Sequence, residues 1–201
     1  MNPLDRAVFL DKDGTLIVDV PYNVDPALIE LAPGAVEGLT KLHAAGYRLV
    51  VISNQSGVAR GRFEVAALAP VEARVRELLA EFSVPLAGFH FCPHHPEGSV
   101  PAYSVACDCR KPKPGMLIEA ARDLDLDLAR SWFVGDILND VEAGHRAGCR
   151  AILIDNGNET EWALGPDRTP DFRAKDLLEA ADLILQGDGS TAPHHSTGAR
   201  A

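Results

Sequence analysis

Ala7-Val8-Phe9-Leu10-Asp11-Lys12-Asp13-Gly14-Thr15 is the stretch from which the fold is read. Four apolar residues in a row form a run of the length of a buried strand. Two carboxylates, two positions apart, stand where that strand ends, and a glycine then turns the chain. In an open α/β sheet, ligands bind at the carboxyl ends of the strands. Carboxylates this close repel one another unless a cation or a shared proton relieves them. The pattern points to a Mg2+ site in which one aspartate can act as nucleophile and the other as acid/base. Asp-x-Asp-Gly is also an ordinary turn composition, so the rest of the chain decides between the two readings.

Outward from that stretch, apolar runs alternate with amphipathic ones. The first strand covers 7–11, and 48–54, 88–92, 132–136 and 151–155 read as further strands, with 181–185 as a sixth. Helices are expected over 33–45, 64–82, 115–124 and 139–147, with Pro70 kinking or restarting the second. This alternation implies the α/β class: a parallel sheet with helices on both faces. Only about twenty residues separate the first strand from the next helix, too few for a folded cap domain. Loops therefore frame an open site. One domain is expected over 1–185. Residues 186–201, rich in Gly, Ser, Thr, Ala and His without periodicity, are expected to be a disordered tail.

Composition narrows the function classes. The chain has 201 residues, of which 46% are hydrophobic and 24% charged, values ordinary for a globular protein. A net charge of −10 argues against a broad nucleic-acid surface, which needs a basic face. It leaves room for a small anionic substrate in a local basic pocket. No apolar stretch is long enough to span a membrane. The opening Met1-Asn2-Pro3-Leu4-Asp5-Arg6 lacks the pattern of a signal peptide, so a cytoplasmic location is expected. A monomer acting on a small molecule is the expected state. Of the four cysteines, Cys92, Cys107 and Cys109 fall within eighteen residues together with histidine. In a reducing compartment that crowding reads as metal binding rather than as a disulfide framework. Cys149 reads as a small buried hydrophobe.

Other strand ends carry reactive groups too. The second ends in Ser53-Asn54-Gln55-Ser56-Gly57, small donors suited to phosphate oxygens. Arg110-Lys111-Pro112-Lys113-Pro114 precedes the helix at 115, and Gly135-Asp136 closes the fourth strand, with Asp140 four residues on. In a parallel sheet all of these ends meet at one edge.

Four segments in this order, Asp11-Lys12-Asp13-Gly14-Thr15, Ser53-Asn54, Lys111-Pro112-Lys113-Pro114 and Gly135–Asp140, resemble the motifs of the haloacid dehalogenase (HAD) superfamily of phosphatases. More narrowly, Ser53–Gly61, Cys92-Pro93-His94-His95-Pro96 and Cys107–Met116 are similar to the heptose bisphosphate phosphatase branch of that superfamily. The resemblance covers residues 7 to about 185. It implies the Rossmann-like HAD fold with no large cap domain and a small zinc-binding loop at about 92–109.

The resemblance implies roles as well. Asp11 attacks phosphorus to give an aspartyl-phosphate, and Asp13 protonates the departing oxygen and then activates water. Ser53 holds the transferring phosphoryl group, and Lys111 neutralises its charge. Mg2+ is held by Asp11, the backbone carbonyl of Asp13, and Asp136, with Asp140 in support. Lys113 competes with Lys111 for the third motif, and the Lys-Pro-x-Pro pattern favours Lys111. Cys92, His94, Cys107 and Cys109 make a complete tetrahedral set for a structural Zn2+, with His95 as the alternative fourth ligand. A clamped loop of this kind would fix Arg110 and Lys111.

For the substrate, Asp19, Tyr22, Asn54, Gln55 and Ser56 are candidate contacts, and Arg60 and Arg110 are candidates for a second, non-reacting phosphate. The reading is a sugar bisphosphate phosphatase in the supply of activated heptose for bacterial surface polysaccharide. Histidinol-phosphate phosphatases share the fold, the aspartate pair and a zinc loop, though a shorter one. A polynucleotide phosphatase is disfavoured by the acidic charge. A silent zinc-binding interaction module is disfavoured by the intact Asp11, Asp13, Lys111 and Asp136.

Overall fold

The protein is described by a computed structural model over residues 5–189. The strands are β1 (Ala7–Leu10), β2 (Arg48–Asn54), β3 (Gly88–Cys92), β4 (Trp132–Gly135), β5 (Arg150–Ile154) and β6 (Phe172–Ala174). The helices are α1 (Ala35–Ala44), α2 (Leu68–Ala80), α3 (Gly115–Asp123), α4 (Leu138–Ala147) and α5 (Leu177–Gly189). All strand pairs are parallel, in the order β3-β2-β1-β4-β5-β6. The chain winds outward from β1 to β3, returns beside β1 as β4, and winds outward the other way. The β1–β4 boundary is thus the switch point of the sheet, where a crevice opens at the strand ends.

Both faces of the sheet are covered, which is why its strands read as unbroken apolar runs. Val8, Leu10, Leu49, Val51, Trp132 and Val134 point into one core cluster, shared with α1, α2 and α5. Ala7, Phe9, Val50, Ile52 and Phe133 point into the other, shared with α3. The helix α1 lies close against α5: a Cβ on Gly38 would come within 2.4 Å of the Leu177 carbonyl oxygen. Pro70 falls in the first turn of α2, after a 3-10 turn over Val65–Ala67, so it marks a new start rather than a kink.

The expected sixth strand at 181–185 is part of α5, and the sixth strand is β6 instead. A strand would have sent Ile184 to the same face as Asp182. The helix gathers Leu177, Ala180, Ala181 and Ile184 on one buried stripe. Its start is marked by Asp176, which accepts from Glu179 N at 2.9 Å, while Glu179 accepts from Lys175 N at 2.8 Å. Since α5 continues to Gly189, residues 186–189 of the expected tail belong to a helix. The rest of that tail lies outside the described residues. Among the described residues no helix is long and apolar enough to cross a membrane.

Candidate active site

The site begins where β1 and β4 lie side by side. Asp11 N donates to Val134 O at 2.9 Å, so the residues that follow the two strands emerge together. After Asp11 the chain folds tightly on itself: Gly14 N donates to Ile17 O, and Leu16 N and Ile17 N both donate to Lys12 O. Gly14 has φ +80°, and a Cβ there would lie 2.2 Å from Asp136 Oδ2. Glycine is required on both counts.

Asp11, Asp136 and Asp140 are all buried, and each offers a carboxylate oxygen within 4.8 Å of the others. Lys111 Nζ lies 2.5 Å from Asp11 Oδ1 and 2.7 Å from Asp140 Oδ1, and it donates to Ile52 O at 3.1 Å. Asp140 Oδ1 is buried without a well-aligned hydrogen bond. The backbone of Lys111 is pinned by one side chain: Asn54 Oδ1 accepts from its N–H at 3.0 Å, and Asn54 Nδ2 donates to its carbonyl at 3.1 Å. Lys113 is paired with Asp108 on the surface. Of the two lysines in the third segment, Lys111 is the one in the site.

Electrostatics set the demand for a cation. Burial pushes the Asp11 carboxyl well above the ordinary carboxylate range; Lys111 opposes this, and Asp140, Asp136 and Asp13 add to it. Burial and Asp140 raise Asp136 to about 6. Lys111 is held protonated by Asp11 and Asp140, although burial works against it. One ammonium among three buried carboxylates leaves excess negative charge and an oxygen without a proper donor. That donor set, all hard oxygens, fits Mg2+.

Asp13 stands apart from this group. Its Oδ1 lies 2.5 Å from Lys12 Nζ, and its Oδ2 accepts from Gln55 Nε2 at 3.0 Å. Gln55 Nε2 also donates to the buried Ser53 Oγ at 2.8 Å. Asp11, Asp13, Asp19, Asn54, Lys111 and Asp136 line one cavity of about 300 Å3. A second of similar volume shares Asp13, Asp19 and Asn54 with it and adds Tyr22, Gln55 and Ser56. Five of the candidate substrate residues are thereby brought together beside the carboxylates. Arg60 and Arg110 line neither cavity: Arg60 Nη2 is 3.1 Å from His95 Nε2, and Arg110 lines a third cavity with His95, Cys107 and Lys113 that shares Lys111 with the first.

Cys92, His94, Cys107 and Cys109 place three sulfurs and a ring nitrogen within 4.8 Å of one another. His94 Nδ1 is 3.4 Å from Cys109 Sγ and 3.6 Å from Cys92 Sγ. His95 instead turns to Arg60 and to Glu97 N, which leaves His94 as the fourth member. Burial raises the Cys92 thiol. Cys109 is raised by burial and by its two thiol neighbours. Cys107 is lowered, against burial, by hydrogen bonds from Cys109 and backbone N–H groups. Three crowded thiols cannot all ionise without a cation, and the donor set is one for Zn2+. Arg110 Nη1 donates to His94 O at 3.3 Å, tying this cluster to the residue before Lys111. Cys149, by contrast, is buried among apolar groups, its thiol raised to about 12 by burial and by Asp127.

Sequence reading overlooked two sets of residues. Lys12 is buried at the centre of the first segment, and its position between two aspartates was the available signal. The second set follows β5. Asn156 Nδ2 donates to Gly14 O at 2.7 Å, Asn158 Nδ2 donates to Asp136 Oδ2 at 2.7 Å, and Glu159 Oε2 accepts from Leu138 N at 2.5 Å. A polar run at the carboxyl end of the strand next to β4 was the signal there.

The HAD-hydrolase-like family matches residues 108–180. The D-glycero-beta-D-manno-heptose-1,7-bisphosphate 7-phosphatase of Salmonella typhi is 40% identical over 167 residues, spanning 79% of this chain and 89% of its own. The protein of the same name from Escherichia coli (strain K12) is 40% identical over 179 residues, spanning 89% of this chain and 87% of its own. A solved D,D-heptose 1,7-bisphosphate phosphatase from B. bronchiseptica, in complex with magnesium and phosphate, aligns with a TM-score of 0.76 at 34% identity. That alignment covers 90% of this chain and 99% of the other.

Proposed function

The chain belongs to the heptose-1,7-bisphosphate 7-phosphatase family of HAD-like phosphatases, and from that premise we propose that it removes the 7-phosphate of D-glycero-D-manno-heptose 1,7-bisphosphate. The observation that carries the reading is Lys111 Nζ seated between Asp11 and Asp140 in one cluster with Asp136. A buried carboxylate, a fixed ammonium and a cation-demanding acid group at one strand edge suit phosphoryl transfer, which needs positioning and charge neutralisation.

Asp11 is the nucleophile. Its oxygen bonds to phosphorus as the sugar oxygen leaves, giving an aspartyl-phosphate that water then hydrolyses. Asp13 donates the proton to the departing oxygen and takes one from the attacking water. Its carboxylate lies at the junction of the two cavities, where the scissile bond would sit between phosphate and sugar. Lys111 holds charge on the transferring group, and Ser53 and Asn54 order the second strand end around it. Asp11, Asp136 and the Asp13 carbonyl, with Asp140 behind them, would hold Mg2+, which when bound supplies positive charge to the phosphoryl oxygens.

Cys92, His94, Cys107 and Cys109 would hold Zn2+ with no position left open, a structural role. The enzyme would act in the cytoplasm, where these thiols stay reduced. Asp19, Tyr22, Gln55 and Ser56 would contact the sugar, and Arg60 and Arg110 the second phosphate. The expected state is a monomer, and light scattering tests it.

Phosphate release from a panel tests the substrate: both anomers of the heptose bisphosphate, fructose 1,6-bisphosphate and histidinol phosphate. The β anomer, the one in the relatives' names, is expected to be preferred, with loss of the 7-phosphate. Preference for histidinol phosphate would overturn the specificity while leaving the chemistry. Asp11→Asn should abolish turnover; retained turnover would exclude the covalent route.

A further inference from the structure

The segment after β5 reaches back over the site and grips it at three points. Asn156 Nδ2 donates to Gly14 O after β1, Asn158 Nδ2 donates to Asp136 Oδ2 after β4, and Glu159 Oε2 accepts from Leu138 N at the start of α4. These contacts have different targets. The first two seize the turn and the carboxylate that meet at the switch point, and the third satisfies a helix amide that Ile137 has no side-chain acceptor to serve.

Asn158 is the member whose contact falls on a reacting part of the site. It lines the same cavity as Asp11, Lys111 and Asp136. Asp136 Oδ2 is taken by its amide at 2.7 Å, while the contact at Asp136 Oδ1 is a long one, 3.4 Å from Thr15 Oγ1. A Cβ at Gly14 would meet both Asp136 Oδ2 at 2.2 Å and Asn158 Nδ2 at 2.5 Å. The carboxylate is therefore wedged between a bare backbone and a side-chain amide. An amide donor on one oxygen fixes the rotation of a carboxylate and directs its other oxygen elsewhere. An aspartate in place of Asn158 could not donate, and an alanine could not reach.

We infer that Asn158 is a positioning residue for the metal-holding carboxylate of Asp136, fixing it through the Nδ2–Oδ2 hydrogen bond so that Oδ1 is presented to the cation. This rests on the reading of Asp11 and Asp136 as the Mg2+ site. It concerns a residue outside all four motif segments.

The test is metal binding, measured without substrate by calorimetric titration of the full-length chain with Mg2+ and with Mn2+. Asn158→Ala and Asn158→Leu should each weaken binding by about 10- to 100-fold. Asn156→Ala, which cuts the tie to Gly14 and the bond that Asn156 Oδ1 accepts from Asn158 N but leaves the Asn158 amide on Asp136, should change it by less than about threefold. Asn158 sits in a surface loop, so the variants should keep the parent's metal-free melting temperature. Parent-like affinity in both Asn158 variants would overturn the inference alone. Equal losses in Asn156→Ala and Asn158→Ala would overturn it in favour of loop anchoring as a whole. A parent chain that binds neither ion would overturn the underlying Mg2+ reading as well.

Discussion

Lys111 and Asp11, one hundred positions apart in the chain, meet at 2.5 Å in a buried contact. The same ammonium lies 2.7 Å from Asp140, so it separates two carboxylates that would otherwise face one another. Lys111→Met keeps the volume and deletes the charge. It should lower kcat by about a hundredfold or more, the scale of losing one preorganised charge donor. It should also lower the metal-free melting temperature, since two buried acids lose their partner. Steady-state kinetics and a thermal melt check both.

The carboxylate cluster makes stability depend on pH and on metal. Asp136 titrates at about 6 in the folded chain against an ordinary 3.8. A group raised in the fold contributes stability that is fully present below its unfolded value and lost as pH rises through the folded one. A shift from 3.8 to about 6 corresponds to on the order of 3 kcal/mol. In EDTA, the melting temperature should fall between pH 4 and pH 7. With saturating Mg2+ that fall should flatten, because the cation replaces the proton. An EDTA profile that rises over this window would contradict the assignment.

If zinc fills the Cys92-His94-Cys107-Cys109 cluster as proposed, its removal should act on Lys111 through the chain. Cys109 is two residues before Lys111, and Arg110 donates to the His94 carbonyl. Cys109→Ser, or removal of zinc, should lower kcat by about tenfold and raise hydrogen exchange across 92–115. The loss should be partial, because the double hydrogen bond from Asn54 still pins the Lys111 backbone. A zinc-free, folded sample with full activity would refute the coupling.

Gly14→Ala tests the turn. A side chain at φ +80° costs about 1–2 kcal/mol. The new methyl would also push Asp136 Oδ2 and Asn158 Nδ2 from their places. Activity and Mg2+ affinity should fall together, more than the melting temperature alone would account for.

The sheet and the chemical groups were legible in the sequence because β1, β2, β4 and β5 are apolar on both faces and Asp11, Asp13, Ser53 and Asp136 stand at or just past strand ends. The bounds of β2 and β3 coincide with those read from sequence. The last strand and helix were not legible from hydrophobicity alone. Ala181–Leu185 is too short an apolar run to tell strand from helix, and the Asp176–Glu179 capping pattern that settles it precedes the run. The aspartates and cysteines were readable by spacing. Asn54's hold on Lys111 and Asn158's on Asp136 were not, because a bond between residues 57 or 22 positions apart depends on which strands become neighbours. For Arg60 and Arg110 the sequence shows two cations suited to a phosphate, and only the fold shows that they stand around His95 and the His94 carbonyl.

The wiring of the cysteine loop bears on how this protein can be re-engineered. Residues 107–115 carry two of the four clustered Cys/His side chains and the site's ammonium on one short piece of backbone. The other two, Cys92 and His94, are at and just beyond the end of β3. A designer who transplanted 107–115 alone would move the lysine and leave half its anchor behind. The transferable unit is the pair of segments, and β3 is the part of the scaffold that any recipient must already possess.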